Sequence, residues 1–173
     1  MNNHPASTNA APVPAWISIG SNVNREYSIR GAIHALRNQF GAVHCSPIYE
    51  TAAEGFIGEP FLNLVAGIQT ALPVHAMITQ LRAIEDAGGR IRGGAKFAPR
   101  TLDLDLLTYG DAVGVIDGYQ LPRDEIVRYA FVLAPLAAIA PTALHPALNR
   151  SYAELWAAFT PPVELRHYPL SLD

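Results

Sequence analysis

The residues with the most marked chemistry lie together between Gly88 and Leu107, in "GGRIRGGAKFAPRTLDLDLL". Arg90, Arg92, Lys96 and Arg100 sit in a glycine-rich run, and Asp103 and Asp105 follow inside an apolar stretch. In a strand, residues i and i+2 face the same side, so Asp103 and Asp105 project together while Leu102, Leu104 and Leu106 project to the other face. The Cα atoms of the two acids are then about 7 Å apart. Two like charges on a semi-buried face are costly unless something positive neutralises them. Metal ions and the upstream cations are the candidates. Oxygen-only ligands suit a hard cation, and Mg2+ is commonly held by one or two carboxylates together with substrate phosphates. A pair of such ions can clamp a phosphoryl group in transfer. Arginines on a glycine-rich loop can offset the charge that grows on its oxygens. Arg100 follows the stiff Pro99 and closely precedes Asp103, which puts it beside the metal centre.

The bulk composition bounds the setting for this chemistry. A chain of 173 residues, 50% hydrophobic and 16% charged, has the makings of one domain with a substantial core. The formal net charge of −3 argues against wholesale binding of nucleic acid or an anionic membrane. Basic charge is local instead, because four of the twelve basic residues fall between Arg90 and Arg100. The single cysteine, Cys45, rules out a disulfide within one chain and fits a reducing compartment. No apolar run reaches the ~18 residues of a membrane span. The opening "MNNHPASTNAAPVP" lacks a charged-then-apolar signal pattern and reads as a flexible lead-in over residues 1–14, ahead of one domain at 15–173. A cytoplasmic protein is expected.

The elements that must position the acids can be read in order. Trp16, Ile17 and Ile19 form a strand ending at Gly20-Ser21-Asn22. Ile29, Ile33, Leu36 and Phe40 predict a helix over 28–40, stopped at Gly41. "AVHCSPIYET" predicts a second strand, with an edge or bulge at Pro47. "FLNLVAGIQTAL" predicts a third strand, and "PVHAMITQLRAIEDAGG" a second helix with Pro73 in its first turn and Gly88-Gly89 at its end. "TLDLDLLTYG" is the fourth strand. The order β-α-β-β-α-β is that of an α+β, ferredoxin-like sandwich, an antiparallel sheet with two helices on one face. "AVGVIDGYQLP" reads as a short strand and loop. "AFVLAPLAAIAP" and "SYAELWAAF" read as a C-terminal helical extension. The tail "TPPVELRHYPLSLD" carries no pattern that assigns it.

The segment "GRIRGGAKFAPRTLDLDLL" resembles the signature of the 6-hydroxymethyl-7,8-dihydropterin pyrophosphokinase family. "ISIGSNV", "IYET", "FLNLV" and "FVLAPLAAIAP" resemble further segments of that family, in the same order from about Trp16 to Trp156. The resemblance implies a ferredoxin-like enzyme that transfers pyrophosphate from ATP to the hydroxymethyl group of the dihydropterin, giving AMP. It implies two Mg2+ ions at Asp103 and Asp105, and ATP as co-substrate. It implies catalytic roles on the phosphates for Arg90 and Arg100. Glu85, Arg92, Lys96 and Leu106 match nucleotide-site positions. For the pterin, Asn63 matches the amide that reads the pyrimidine edge, a role that needs both a donor and an acceptor. Phe97 and Phe131 match two aromatics that sandwich the ring. Thr51 and Phe61 match pocket walls, and Gly20 matches a glycine whose bare backbone lies close to the pterin.

The sequence departs from the family pattern at "LPRDEIVRYAF". Arg123 stands where histidine is usual, and Tyr129 where arginine is usual, with Arg128 one place earlier. Arg123 and Arg128 are therefore the expected source of the missing positive charge at the nucleotide. "AAEG" follows Thr51 where prolines are common. Two alternatives stand beside the leading reading: a paralog with the same chemistry on a modified pterin, and a non-catalytic nucleotide- or pterin-binding module on the same scaffold. The expected partners are small molecules only, with no nucleic acid and no membrane, and the expected state is a monomer.

Overall fold

In the computed structural model of the chain, residues 10–52, 57–88 and 102–173 are described. The first strand, β1, runs over Val13–Ser21, and its burial alternates. Ala15, Ile17 and Ile19 are buried on one face, while Trp16, Ser18 and Gly20 are half-buried on the other. The strand starts at Val13, so the last two residues of the expected lead-in, Val13 and Pro14, belong to the sheet. Helix α1 spans Arg25–Phe40 and buries Ile29, Ala32, Ile33 and Leu36, as their spacing demands. It starts earlier than the apolar pattern does, because its first turn is polar. It ends at Gly41, whose φ of 80° suits a residue without Cβ.

The second predicted strand is two short ones, β2 (His44–Cys45) and β3 (Ile48–Thr51). Pro47 cannot donate to a ladder, and the strand breaks at Ser46-Pro47. Ser46 bridges the break: its N–H donates to Val65 O, and its Oγ accepts from Val65 N–H, each at 2.9 Å. Strand β4 (Phe61–Thr70) follows, and then helix α2 (Val74–Ala87), with Pro73 at its N-cap. Strand β5 spans Asp103–Tyr109.

The sheet order among the described strands is β5-β1-β4-β3, antiparallel throughout, with β2 also on β4. This is the predicted ferredoxin-like arrangement. Leu62, Leu64, Leu104 and Leu106 join Ile17 and Ile19 in one core under α1 and α2.

The C-terminal part adds a hairpin that packs on the first core and helices that cover the other face. A hairpin comes first, β6 (Gly114–Ile116) and β7 (Tyr119–Leu121). Its turn residues Asp117 and Gly118 have φ of 52° and 79°, the geometry that Asp-Gly favours in a two-residue hairpin. The short α3 (Glu125–Arg128) leads into α4 (Ala130–Ile139), and α5 spans Tyr152–Ala157. Val132, Leu133 and Leu136 of α4 pack with Val65 and Leu107 of the sheet, and with Tyr152 and Leu155 of α5. Strand β4 is thus buried on both faces, which explains its nearly unbroken apolar run. The unassigned tail forms β8 (Arg166–Tyr168), paired with the outer side of β3. Among the described residues no helix is long and apolar enough to cross a membrane.

One loop of this second layer is built on a buried imidazole. His145 is 5% exposed, and its Nδ1 accepts from the N–H groups of Ala147 and Leu148 at 3.3 and 3.2 Å. Burial pushes its pKa below the ordinary 6.5. Protonation would turn Nδ1 into a donor and break both bonds. As pH falls through 6.5 the unfolded chain takes the proton first, so stability is full above that pH and declines towards the lower folded-state pKa. Urea midpoints measured from about pH 7.5 down to about pH 5 should therefore decline, and less steeply in His145→Asn, whose Oδ1 can accept the same bonds. Parallel profiles for the two proteins would remove His145 as the cause.

Candidate active site

The two acids of β5 sit on the sheet face opposite the leucines, as alternation requires. Asp103 and Asp105 are half-buried, whereas Leu104 and Leu106 are buried in the first core. The register then sets a row across the sheet. Asp103 is opposite Gly20, Gly20 is opposite Asn63, and Asn63 is opposite Tyr49. Partners opposite one another share a face, so the acids and Asn63 look out on the same side. Leu107 lies two residues beyond Asp105 and so faces the same side, and it is the extra residue of a β-bulge that puts Thr108 opposite Trp16. Leu107 is covered by the second core. The face is therefore apolar at the α4 end and polar at the end that carries Asp103 and Asn63.

Gly20 is required by closeness. A Cβ there would stand 3.1 Å from Asn63 Oδ1. Asn63 is 5% exposed, and its Nδ2 donates to Thr51 Oγ1 at 2.9 Å. That bond fixes the amide so that Oδ1 faces Gly20. Thr51 in turn pairs with Phe61. The segment before β4 is held from the first turn: Asn22 Nδ2 donates to Glu59 O, and Arg25 donates to Pro60 O. Arg25 also pairs with Glu50 at 2.7 Å. Asn22 and Arg25 were not among the expected site residues. Phe131 is half-buried at the start of α4 and stacks on Tyr129, with centroids 5.1 Å apart and planes at 17°. The residue that departs from the family's arginine thus contributes a second ring.

On the outer edge of β5 lies a cavity of about 150 Å3, between α2, the strand and β7. Glu85, Arg82, Asp105 and Tyr119 line it. Glu85 is 3% exposed, and its carboxylate accepts from Leu104 N–H at 2.8 Å. It therefore braces the strand between the two acids. Arg123 is reached through β7: its N–H donates to Leu107 O at 2.9 Å, and its guanidinium lies 5.3 Å from the Tyr119 ring centroid. Its Nε and Nη2 donate to Glu125 at 3.0 and 2.6 Å, which holds the guanidinium charged more firmly than usual. Burial, and then the Asp105 charge, push the Tyr119 phenol up. Arg128 is exposed, paired with Asp124 at 3.0 Å and set over Tyr129.

Leu106, another expected nucleotide residue, is enclosed like Glu85, at 0% exposure. Its side chain packs in the first core, so what it can offer a ligand is its main chain. Arg90, Arg92, Lys96, Phe97 and Arg100 lie outside the described residues.

Asp103 and Asp105 fit a magnesium site in kind. Among the described residues no group of three or more His, Cys, Asp or Glu side chains could hold a metal. Paired carboxylates that leave the remaining positions to water and phosphate are what Mg2+ accepts.

These features define a ferredoxin-like α+β protein with a carboxylate pair on β5 and a buried amide across β1 from it, on the same face. A model of the family 7,8-dihydro-6-hydroxymethylpterin-pyrophosphokinase (HPPK) matches residues 16–141, and the chain belongs to that family. The Pseudomonas aeruginosa 2-amino-4-hydroxy-6-hydroxymethyldihydropteridine pyrophosphokinase is 34% identical over 147 residues, 83% of this chain and 90% of the relative. The Schizosaccharomyces pombe folic acid synthesis protein fol1 is 32% identical over 144 residues, 81% of this chain. A folate synthesis bifunctional protein of Arabidopsis thaliana is 35% identical over 123 residues, 69% of this chain. The matched part spans 20% of the yeast relative and 25% of the plant one. Wild-type Plasmodium falciparum HPPK-DHPS shares the fold with a TM-score of 0.66 at 13% identity, over 87% of this chain and 45% of that one.

The brace at Glu85 makes a prediction about the strand. Glu85→Ala removes the acceptor of a buried N–H and should cost about 1–3 kcal/mol of stability. Glu85→Gln keeps a carbonyl oxygen in place and should cost less. Urea denaturation of both variants checks this, and equal losses would argue against the bond to Leu104 as the source.

Proposed function

We propose that the protein transfers pyrophosphate from ATP to the hydroxymethyl group of 6-hydroxymethyl-7,8-dihydropterin, with Mg2+, giving AMP and the pterin diphosphate. The observation that carries this reading is the shared row of Asp103, Gly20 and Asn63. It puts the carboxylates and the Asn63 amide on one face, separated by a residue with no side chain, which supports reading them as a phosphate-handling pair and a heterocycle-reading amide. Membership of the pterin pyrophosphokinase family supports the same reaction.

In this mechanism the chain mainly binds and orients. The pyrimidine edge of the pterin lies against Asn63, whose Oδ1 accepts and whose amide donates. Thr51 keeps that amide from turning, and Gly20 leaves room for the ring. Phe131 supplies one stacking surface, and Phe97 the other. Asp103 and Asp105 would hold Mg2+, which supplies charge neutralisation for the phosphates when bound. Arg90 and Arg100 act on the phosphate oxygens, with Arg92 and Lys96 nearby. The hydroxymethyl oxygen forms a bond to the β-phosphorus of ATP. The bond from that phosphorus to the α,β-bridging oxygen breaks, AMP leaves with that oxygen, and the hydroxyl proton passes to solvent. Positioning and electrostatics suffice for such a transfer, and no dedicated base is invoked. A cytoplasmic location accords with the lone, partly buried Cys45, whose thiol burial pushes up.

The test is AMP release with ATP, Mg2+ and the dihydropterin. Asp105→Ala should lower turnover by at least about a hundredfold. Asn63→Ala should instead raise KM for the pterin while leaving KM for ATP near its starting value. Near-normal turnover in Asp105→Ala would defeat the metal assignment, and an unchanged pterin KM in Asn63→Ala would defeat the amide assignment.

A further inference from the structure

Arg123 is held in place from three directions before any ligand arrives. Its N–H is bonded to Leu107 O of β5, its guanidinium lies over Tyr119, and its fork is filled by Glu125. Tyr119 also lines the cavity that Asp105 shares. The guanidinium thus lies over a ring that borders the same cavity as Asp105, near enough for the Asp105 charge to favour its protonated form. An arginine fork presents Nε–H and Nη–H as parallel donors, a geometry that carboxylates and phosphates both accept. Glu125 takes both donors, so a phosphate oxygen can use that edge only in its place.

The neighbouring pair shows why this one matters. Arg128 and Asp124 are 59% and 65% exposed, and such pairs are worth little. Arg123 and Glu125 are 27% and 30% exposed and bidentate, so releasing the arginine carries a larger cost.

We propose that Glu125 is the internal counter-anion of a phosphate-binding arginine: a nucleotide phosphate displaces it from the Arg123 fork, and Glu125 thereby sets nucleotide affinity without touching the nucleotide. This rests on the reading of the Asp105 face as a nucleotide site. Glu125 is an affinity-determining positioning residue, and its effect runs entirely through Arg123.

Calorimetric titration of the full chain with Mg2+ and a non-hydrolysable ATP analogue tests this, together with KM for each substrate. Glu125→Gln should tighten the analogue by roughly tenfold, about one charge-assisted hydrogen bond. It should lower KM for ATP and leave KM for the pterin unchanged. Glu125→Ala, checked for cooperative unfolding, should show the same direction. In an Arg123→Met background neither substitution should change affinity. Affinity within twofold of the wild type in both single variants, or tightening that persists without Arg123, overturns the proposal. Absence of analogue binding in the wild type as well overturns the nucleotide reading, and this inference with it.

Discussion

Among the described residues, the strand that carries Asp103 and Asp105 has a strand partner on one side only, and the candidate site depends on how its other side is satisfied. Strand β5 pairs with β1, and among the described residues no strand lies beyond it. Its outward N–H at Leu104 goes to the Glu85 carboxylate, and its outward carbonyl at Leu107 accepts from Arg123. Both groups lie within a few residues of the acids. The strand is thus fixed by a helix side chain and by the segment after β7, where a sheet would have used another strand. Unpaired edge groups would leave the strand free to fray or to recruit a neighbour, and Asp103 and Asp105 would lose their fixed spacing.

The same sheet serves two unlike purposes because its faces are covered unequally. One face is fully roofed by α1 and α2 over a continuous apolar core. Among the described residues, the other is roofed by α4 and α5 around Val65, Leu107 and Trp16. The polar row from Asp103 to Tyr49 lies beyond that cover. Alternation puts Leu107 on the α4 side in phase with Asp105, and the bulge there sets Thr108 opposite Trp16.

Much of this was legible in the sequence, for identifiable reasons. Strict alternation in "LDLDL" gave the two faces of β5, and Gly-Ser-Asn marked the end of β1. The helix α1 began earlier than its apolar pattern because polar first turns carry no periodic signal. The tail strand β8 could not be read, since its three residues acquire strand form only by pairing with β3. Glu85 was expected at the nucleotide site from its family match, and only the tertiary structure reveals that it is buried against Leu104. Tyr119 and Glu125 gave no signal, because their importance comes from a guanidinium brought between them by the turn of the chain. The expected basic positions Arg90, Arg92, Lys96 and Arg100, with Phe97, lie outside the described residues.

The far margin of the sheet is closed by different means. Strand β8 has three residues and is followed at once by Pro169, which cannot donate to a further ladder. The residues after it turn back onto α1, where Arg30 and Arg37 hold the carbonyls of Ser171 and Leu172. One margin thus ends in a carboxylate and a loop, and the other in a short strand stopped by proline. A sheet finished in this way offers little template for strand addition by another molecule. Larger assemblies built on this unit would have to join through helices, loops or side-chain surfaces, leaving the backbone ladder that holds the acids undisturbed.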